Sequence, residues 1–278
     1  MEFTHYMLPG VPQPVFWLFV STAVLLQGIS KSGFAGGLGI LSVPLMLLVM
    51  PADKVVAVLL PILILCDFNA IYFHRANCEW PQLRRIYPPA LVGIVAGAAL
   101  WWYIGQAGVE RYEAPLKRFV GVIAVLFAVY IFAKETSMRW AAEHRAGPRA
   151  AWAAGIAAGF TSTLAHAAGP IISLYMFSQS MGKKRFVGTV AWTFTTINLT
   201  KLPLYLAVGM IDWSVLAFDA VLLPLVPLGS FLGLWMHDRV PERPFNWLVL
   251  VLTLVAGVQL VFNVPVVQWS LEWLAGAA

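Results

Sequence analysis

Apolar residues run along this chain in stretches too long for a soluble core. Six runs, 55–73, 86–104, 115–133, 186–208, 213–236 and 244–263, meet or approach the roughly 20 residues that carry an α-helix across a bilayer. Each reads as a transmembrane helix. Two regions break the pattern. The apolar segments 15–29 and 38–50 are short and are separated by GISKSGFAGGLG. Segments 152–160 and 171–177 are also short, separated by TSTLAHAAGP. Glycines and hydroxyl residues weaken a helix at both places, so each region reads as a broken element that opens one half of the chain.

The halves echo one another. At an offset of 130, Ser32, Ala35, Gly39, Met46 and Lys54 fall on Ser162, Ala165, Gly169, Met176 and Lys184. At an offset of 133, Tyr72, Trp80 and Leu83 fall on Tyr205, Trp213 and Leu216. The order of elements, a broken segment followed by three spans, repeats as well. The expectation is a single membrane domain made of two repeats, 1–137 and 138–278.

Basic residues then fix the parity of the broken segments, because cytoplasmic loops are enriched in Lys and Arg. If each broken segment crosses once, nine basic residues face seven and the sides are not distinguished. If each is a hairpin returning to its own side, one face keeps only Lys54, Arg111, Lys117 and Arg118, and the other twelve share the opposite face. The second arrangement obeys the rule. A hairpin plus three spans crosses an odd number of times, so the two repeats have inverted topology. Both termini then lie outside, and the hairpin tips approach each other near mid-membrane, a layout found in secondary transporters. The fold expected is therefore an all-α polytopic membrane protein with two inverted repeats, each a broken, re-entrant hairpin followed by three transmembrane helices.

Composition agrees. Of 278 residues, 60% are hydrophobic and only 11% charged, against about 25% charged in soluble domains; the mean hydropathy is +0.79. Nothing resembles a separate soluble domain, and a net charge of +5 spread over loops does not form a nucleic-acid surface. The N-terminus lacks the basic region and cleavage site of a signal peptide, so the whole chain is expected to be retained. Cys66 and Cys78 lack ligand spacing, and Cys66 reads as a small buried hydrophobe.

The stretch GFAGGLGILSVPLMLL followed by PADKVVAV, echoed by GPIISLYM and GKKRFVGT, resembles the TauE/SafE sulfite exporter family over roughly residues 20–262. The resemblance implies export of a small sulfur-containing anion (sulfite, thiosulfate or an organosulfonate such as sulfoacetate) across a bacterial plasma membrane, driven by an ion gradient. Where the family's second motif carries glycines, this chain has Ala165, His166 and Ala167, which leaves the choice of anion open.

Residues suited to an anionic guest gather at the breaks. Lys31 reads as a counter-charge beside backbone N–H groups freed by Gly33, Gly36, Gly37 and Gly39, at the positive end of a half-helix starting near Leu38. The bland reading is a lysine snorkelling to the surface. Ser30, Ser32, Ser162 and Thr163, with Thr161, supply hydroxyls for sulfonate oxygens, or simply cap broken helices. Asp67 and Lys201 are expected to approach each other across the pseudo-twofold axis. That pair is either a buried structural ion pair or a substrate ligand, Lys201, beside a proton or cation site, Asp67. His166 reads as a proton relay or anion donor, or as a neutral ring bonded to backbone. Asn198 is a candidate ligand or a helix–helix partner, Trp192 a cavity wall, and Asp219 a residue with a local partner.

No cofactor or metal is expected. The partners expected are the small anion and the lipid bilayer, with a homodimer left open. An anion channel would fit the same features. An intramembrane phosphatase would need acidic groups and an arginine at the tips, and both tips lack them.

Overall fold

The computed structural model describes residues 3–33, 38–74, 76–132, 146–237, 239 and 242–264. The chain is all-helical over these residues: α1 (Gln13–Gly33), α2 (Ser42–Leu47), α3 (Ala52–His74), α4 (Trp80–Ala107), α5 (Val109–Phe132), α6 (Pro148–Ala165), α7 (Gly169–Phe177), α8 (Lys183–Ala207), α9 (Trp213–Leu222), α10 (Leu225–His237) and α11 (Glu242–Phe262). Single 3₁₀ turns occupy Thr4–Tyr6 and Leu38–Leu41. Among the described residues three helices are long and apolar enough to cross a membrane, and the pair α9–α10 makes a fourth as a bent span.

Both broken segments double back. Ser30 Oγ accepts from the Gly39 N–H (2.8 Å), the Gln27 amide donates to the Gly39 carbonyl (2.9 Å), and Ser42 Oγ donates to the Ala23 carbonyl (2.8 Å). Contacts that advance from 39 to 42 on one arm while receding from 30 to 23 on the other define an antiparallel return. The Leu8 N–H reaches the Val49 carbonyl at 2.9 Å, so the arms end together where they began. In the second half Gln179, beyond α7, donates to the carbonyl of Ala146, before α6, at 3.1 Å.

The arms are unequal, and here the sequence expectation needs correction. The glycine and serine positions at 28–33 do not break the helix: α1 continues through Lys31 to Gly33. In the second half Thr161, Ser162 and Thr163 are likewise helical within α6, and the chain turns at His166, in the left-handed conformation with φ 49°. Gly28 serves as a contact instead, since a Cβ there would lie 2.9 Å from the backbone of Gly229 and Ser230. Gly36 and Gly37 lie outside the described residues.

Backbone-to-backbone seams of this kind join the two halves. On α1 and α10, Gly28, Gly229 and Gly233 meet Leu25 and Ile29; on α4 and α6, Gly93, Gly155 and Gly159 press against the backbone of Ile156, Ile86 and Ala90. Small residues permit this closeness where no hydrophobic force drives helices together in lipid. Between the seams α3 packs against α8, burying most of α3. The run 213–236, expected as one helix, bends by 40° between α9 and α10. Pro224 sits at the bend and cannot donate to the Ala220 carbonyl.

Candidate functional site

Three elements converge on Asp67. Its side chain is fully buried on α3. One carboxylate oxygen pairs with the Lys31 ammonium from the last turn of α1. The other accepts from the Asn198 amide of α8 at 2.6 Å. The Lys31 ammonium also stands 4.8 Å over the ring of Phe194, a cation–π contact, and its side chain is 12% exposed. The ion pair expected between Asp67 and Lys201 is therefore corrected: the carboxylate is paired with the hairpin lysine. The repeat offset aligned Asp67 with the neighbour of Lys201, but the long α1 arm delivers Lys31 to it first.

Lys201 forms its own cluster. Fully buried, its ammonium donates to the Ser162 carbonyl (3.1 Å), to Ser162 Oγ (3.0 Å) and to His166 Nδ1 (3.0 Å). These three acceptors match the three N–H donors of an ammonium. The carbonyl lies at the C-terminal end of α6, where the helix dipole favours a cation. His166 Nε2 lies 2.9 Å from the Val56 carbonyl. A carbonyl only accepts, so the proton of the neutral ring sits on Nε2 and Nδ1 is free to accept from Lys201. The ring thereby ties the α6 turn to α3 and holds a non-glycine residue at positive φ. The two clusters adjoin, since Asn198, which holds Asp67, and Lys201 stand one turn apart on α8.

Helical periodicity on α8 explains the convergence. Phe194, Asn198 and Lys201 recur at i, i+4 and i+7, one stripe turned to α3 and the hairpins. The stripe could have been read from the sequence, yet Phe194 was missed because it carries no polar atom. Gln27, Trp101 and Tyr205 were also missed. Gln27 ties the first hairpin; Trp101 Nε1 (3.0 Å) and the Tyr205 hydroxyl both donate to the Thr163 carbonyl at the end of α6.

Other expected site residues lie apart from the clusters. Ser30 fastens the first hairpin through Gly39. Ser32 is half-buried in the last turn of α1. The Thr163 hydroxyl bonds back to Gly159 in its own helix at 2.9 Å. Trp192 packs against Trp80 with the rings tilted and their centroids 5.2 Å apart, and its Nε1–H has no acceptor among the described residues. Trp80 lines an open cleft of about 410 Å³ shared with Asn77, Cys78, Glu79 and Arg185. Arg185 pairs with Glu79 there. The expectation of an anion cradle at the half-helix near Leu38 is corrected in part. That arm starts as a 3₁₀ turn followed by six helical residues, and the Gly39 N–H already bonds Ser30.

Long apolar helices, two folded-back segments and a buried cluster of charges define a polytopic membrane protein. The sulfite exporter TauE/SafE family model matches residues 20–260. The chain belongs to that family, one of membrane transporters. No curated protein and no solved structure matches the chain.

Proposed function

We propose that the chain is a secondary exporter of a small sulfur-containing anion (sulfite, thiosulfate or an organosulfonate such as sulfoacetate) across the bacterial inner membrane. Export is driven by an ion gradient, and the guest binds at mid-membrane beside Lys31. The observation that carries the reading is the buried charge balance. Lys31 and Lys201 supply two positive charges and Asp67 one negative, an excess that an oxyanion would neutralise. Lys201 has its three N–H groups engaged by Ser162 and His166. The Lys31 ammonium meets a single carboxylate oxygen and a ring face among the described residues, so Lys31 is the cation that can change partner.

The cycle follows from that exchange. An anion entering the site competes with Asp67 for Lys31, while Asn198 keeps hold of the carboxylate. Asp67, deprived of its cation, is compensated by a proton or by neighbouring Lys201, with the His166 ring adjoining it. The cleft at Glu79 and Arg185 is the cytoplasmic mouth, and the Trp80–Trp192 pair closes the way to Phe194 and Lys31. Two inverted repeats, termini outside, give the symmetry for alternating access. Supporting this, the two arms of each broken segment run antiparallel, and the pairing of α1 with α10 mirrors that of α6 with α4.

The test is flux of ³⁵S-sulfite in proteoliposomes, with thiosulfate, sulfoacetate and sulfate as competitors, with and without a proton gradient. Saturable, gradient-responsive sulfite flux is expected, and Lys31→Gln should weaken apparent affinity by about tenfold or more, the equivalent of ~1.4 kcal/mol. Absence of flux for each of these anions overturns the reading; unsaturable flux indifferent to the gradient replaces it with a channel.

A further inference from the structure

A second buried carboxylate lies away from the cation clusters and has no role in the exchange at Lys31. Asp219, in α9, is 5% exposed, and neither carboxyl oxygen meets a hydrogen-bond donor among the described residues. Asp67, equally buried, has both oxygens engaged. Around Asp219 the wall is apolar: Val215, Phe218 and Leu222 of its own helix belong to the main core with Tyr6, Phe16 and Val20. An ionised carboxylate without donors in such surroundings is costly, and the neutral acid is much less so. This carboxyl is stable in the folded core with a proton on it.

We propose that Asp219 is a proton-carrying site of the transport cycle. One of its oxygens bonds a proton from external water when the site is open. It remains a neutral acid while buried and returns the proton to water when the cycle exposes it again. The position suits the task. Asp219 stands six residues after Trp213, about 9 Å along the helix from its start, and its carbonyl accepts from the Leu223 N–H at 2.8 Å. The bend at Leu223–Pro224 follows within one turn, so a change at the hinge alters the exposure of the carboxyl directly.

The titratable groups on surrounding elements leave it unpaired. On its own helix, Asp212 caps the start by accepting from the Val215 N–H. On the N-terminal turn, Tyr6 and His5 both reach Ser214 Oγ, at 3.0 and 3.1 Å. On α3, Lys54 lies near Asp53 and over the Tyr6 ring; Cys66, Asp67 and Tyr72 occupy the other end. The part of α1 facing Phe218, around Phe16 and Trp17, has no titratable side chain.

The protonation of Asp219 stands by itself, whereas its coupling to transport rests on the exporter reading, so the experiment has two arms. Infrared difference spectra of the protein in lipid, wild type against Asp219→Asn, should show at neutral pH a protonated-carboxyl band that the variant lacks; identical spectra overturn the proposal. In vesicles holding a pH dye, proton movement accompanying ³⁵S-sulfite should fall in the variant to the level of protein-free vesicles. Wild-type proton movement per sulfite in the variant overturns the coupling. Asp219→Leu, which fits the apolar wall, substitutes for the amide variant should that one fail to fold. The infrared arm decides protonation even for a chain that carries no sulfite.

Discussion

Neutralising one member of the Lys31–Asp67 pair should destabilise the protein far more than neutralising both. Removing one partner of a buried ion pair strands a charge and costs roughly 3–5 kcal/mol, whereas replacing the pair by neutral groups of similar size is often nearly neutral. The two ends differ in burial, and this sets an order between the single variants. Lys31→Met leaves a fully buried carboxylate whose remaining hydrogen-bond donor among the described residues is the Asn198 amide, so it should reach about 4–5 kcal/mol. Asp67→Asn leaves an ammonium that is 12% exposed, lies over Phe194 and sits on a flexible stem; it should stay near ~3 kcal/mol. The double variant should recover most of the loss, giving a coupling energy of at least about 3 kcal/mol. Reversible unfolding in mixed micelles, followed by tryptophan fluorescence, gives all four corners of the cycle. Additive single effects, or an Asp67→Asn variant less stable than Lys31→Met, would refute the pairing and its assigned burial.

Three further outcomes follow from named contacts. Gly159→Ala drives a Cβ to within 2.1 Å of the Ala90 carbonyl and should cost about 1–3 kcal/mol by overpacking; Gly105→Ala, with open space around it, should be neutral or mildly stabilising in the same unfolding assay. Lys201→Met abandons the Ser162 carbonyl and the His166 ring, so it should lower stability by about 1–3 kcal/mol while changing sulfite affinity less than Lys31→Gln does. Burial, with the Glu79 carboxylate beside it, pushes the Cys78 thiol up to about 11. Its thiolate fraction at neutral pH is then on the order of 10⁻⁴. Maleimide labelling of Cys78 should be slow and accelerate as pH climbs toward that value, and Glu79→Gln should shift the profile downward.

The long apolar helices were legible because length and hydropathy are written in the sequence, and among the described residues three helices and one bent pair reach what a crossing needs. The sequence located both irregular regions but placed their breaks too early. Glycine reads as a helix breaker, while inside a bilayer Gly28 and Gly159 stay helical and serve as sites of close approach. The bend between α9 and α10 was missed because Pro224 lies within an uninterrupted apolar run. Lys31, Asp67, Asn198, Lys201, Ser162 and His166 were all singled out, being polar groups where polarity is expensive. Which lysine meets which partner was not legible: the answer depends on how far α1 reaches before it turns, and periodicity along one helix holds no record of that. Asp219 was expected to have a partner, and only the surrounding three-dimensional core shows that it has none among the described residues.

The glycine seams have a mechanical consequence. Because α1 is clamped to α10, α6 to α4 and, through Gly121 and Gly257, α5 to α11, each of these tight joints ties one half of the chain to the other. Motion between rigid pieces would therefore divide the chain into hybrids drawn from both halves rather than into the halves themselves. A displacement of the Lys31 arm would carry α10 with it and load the bend that the Asp219 carbonyl borders, so the two buried carboxylates share one mechanical connection.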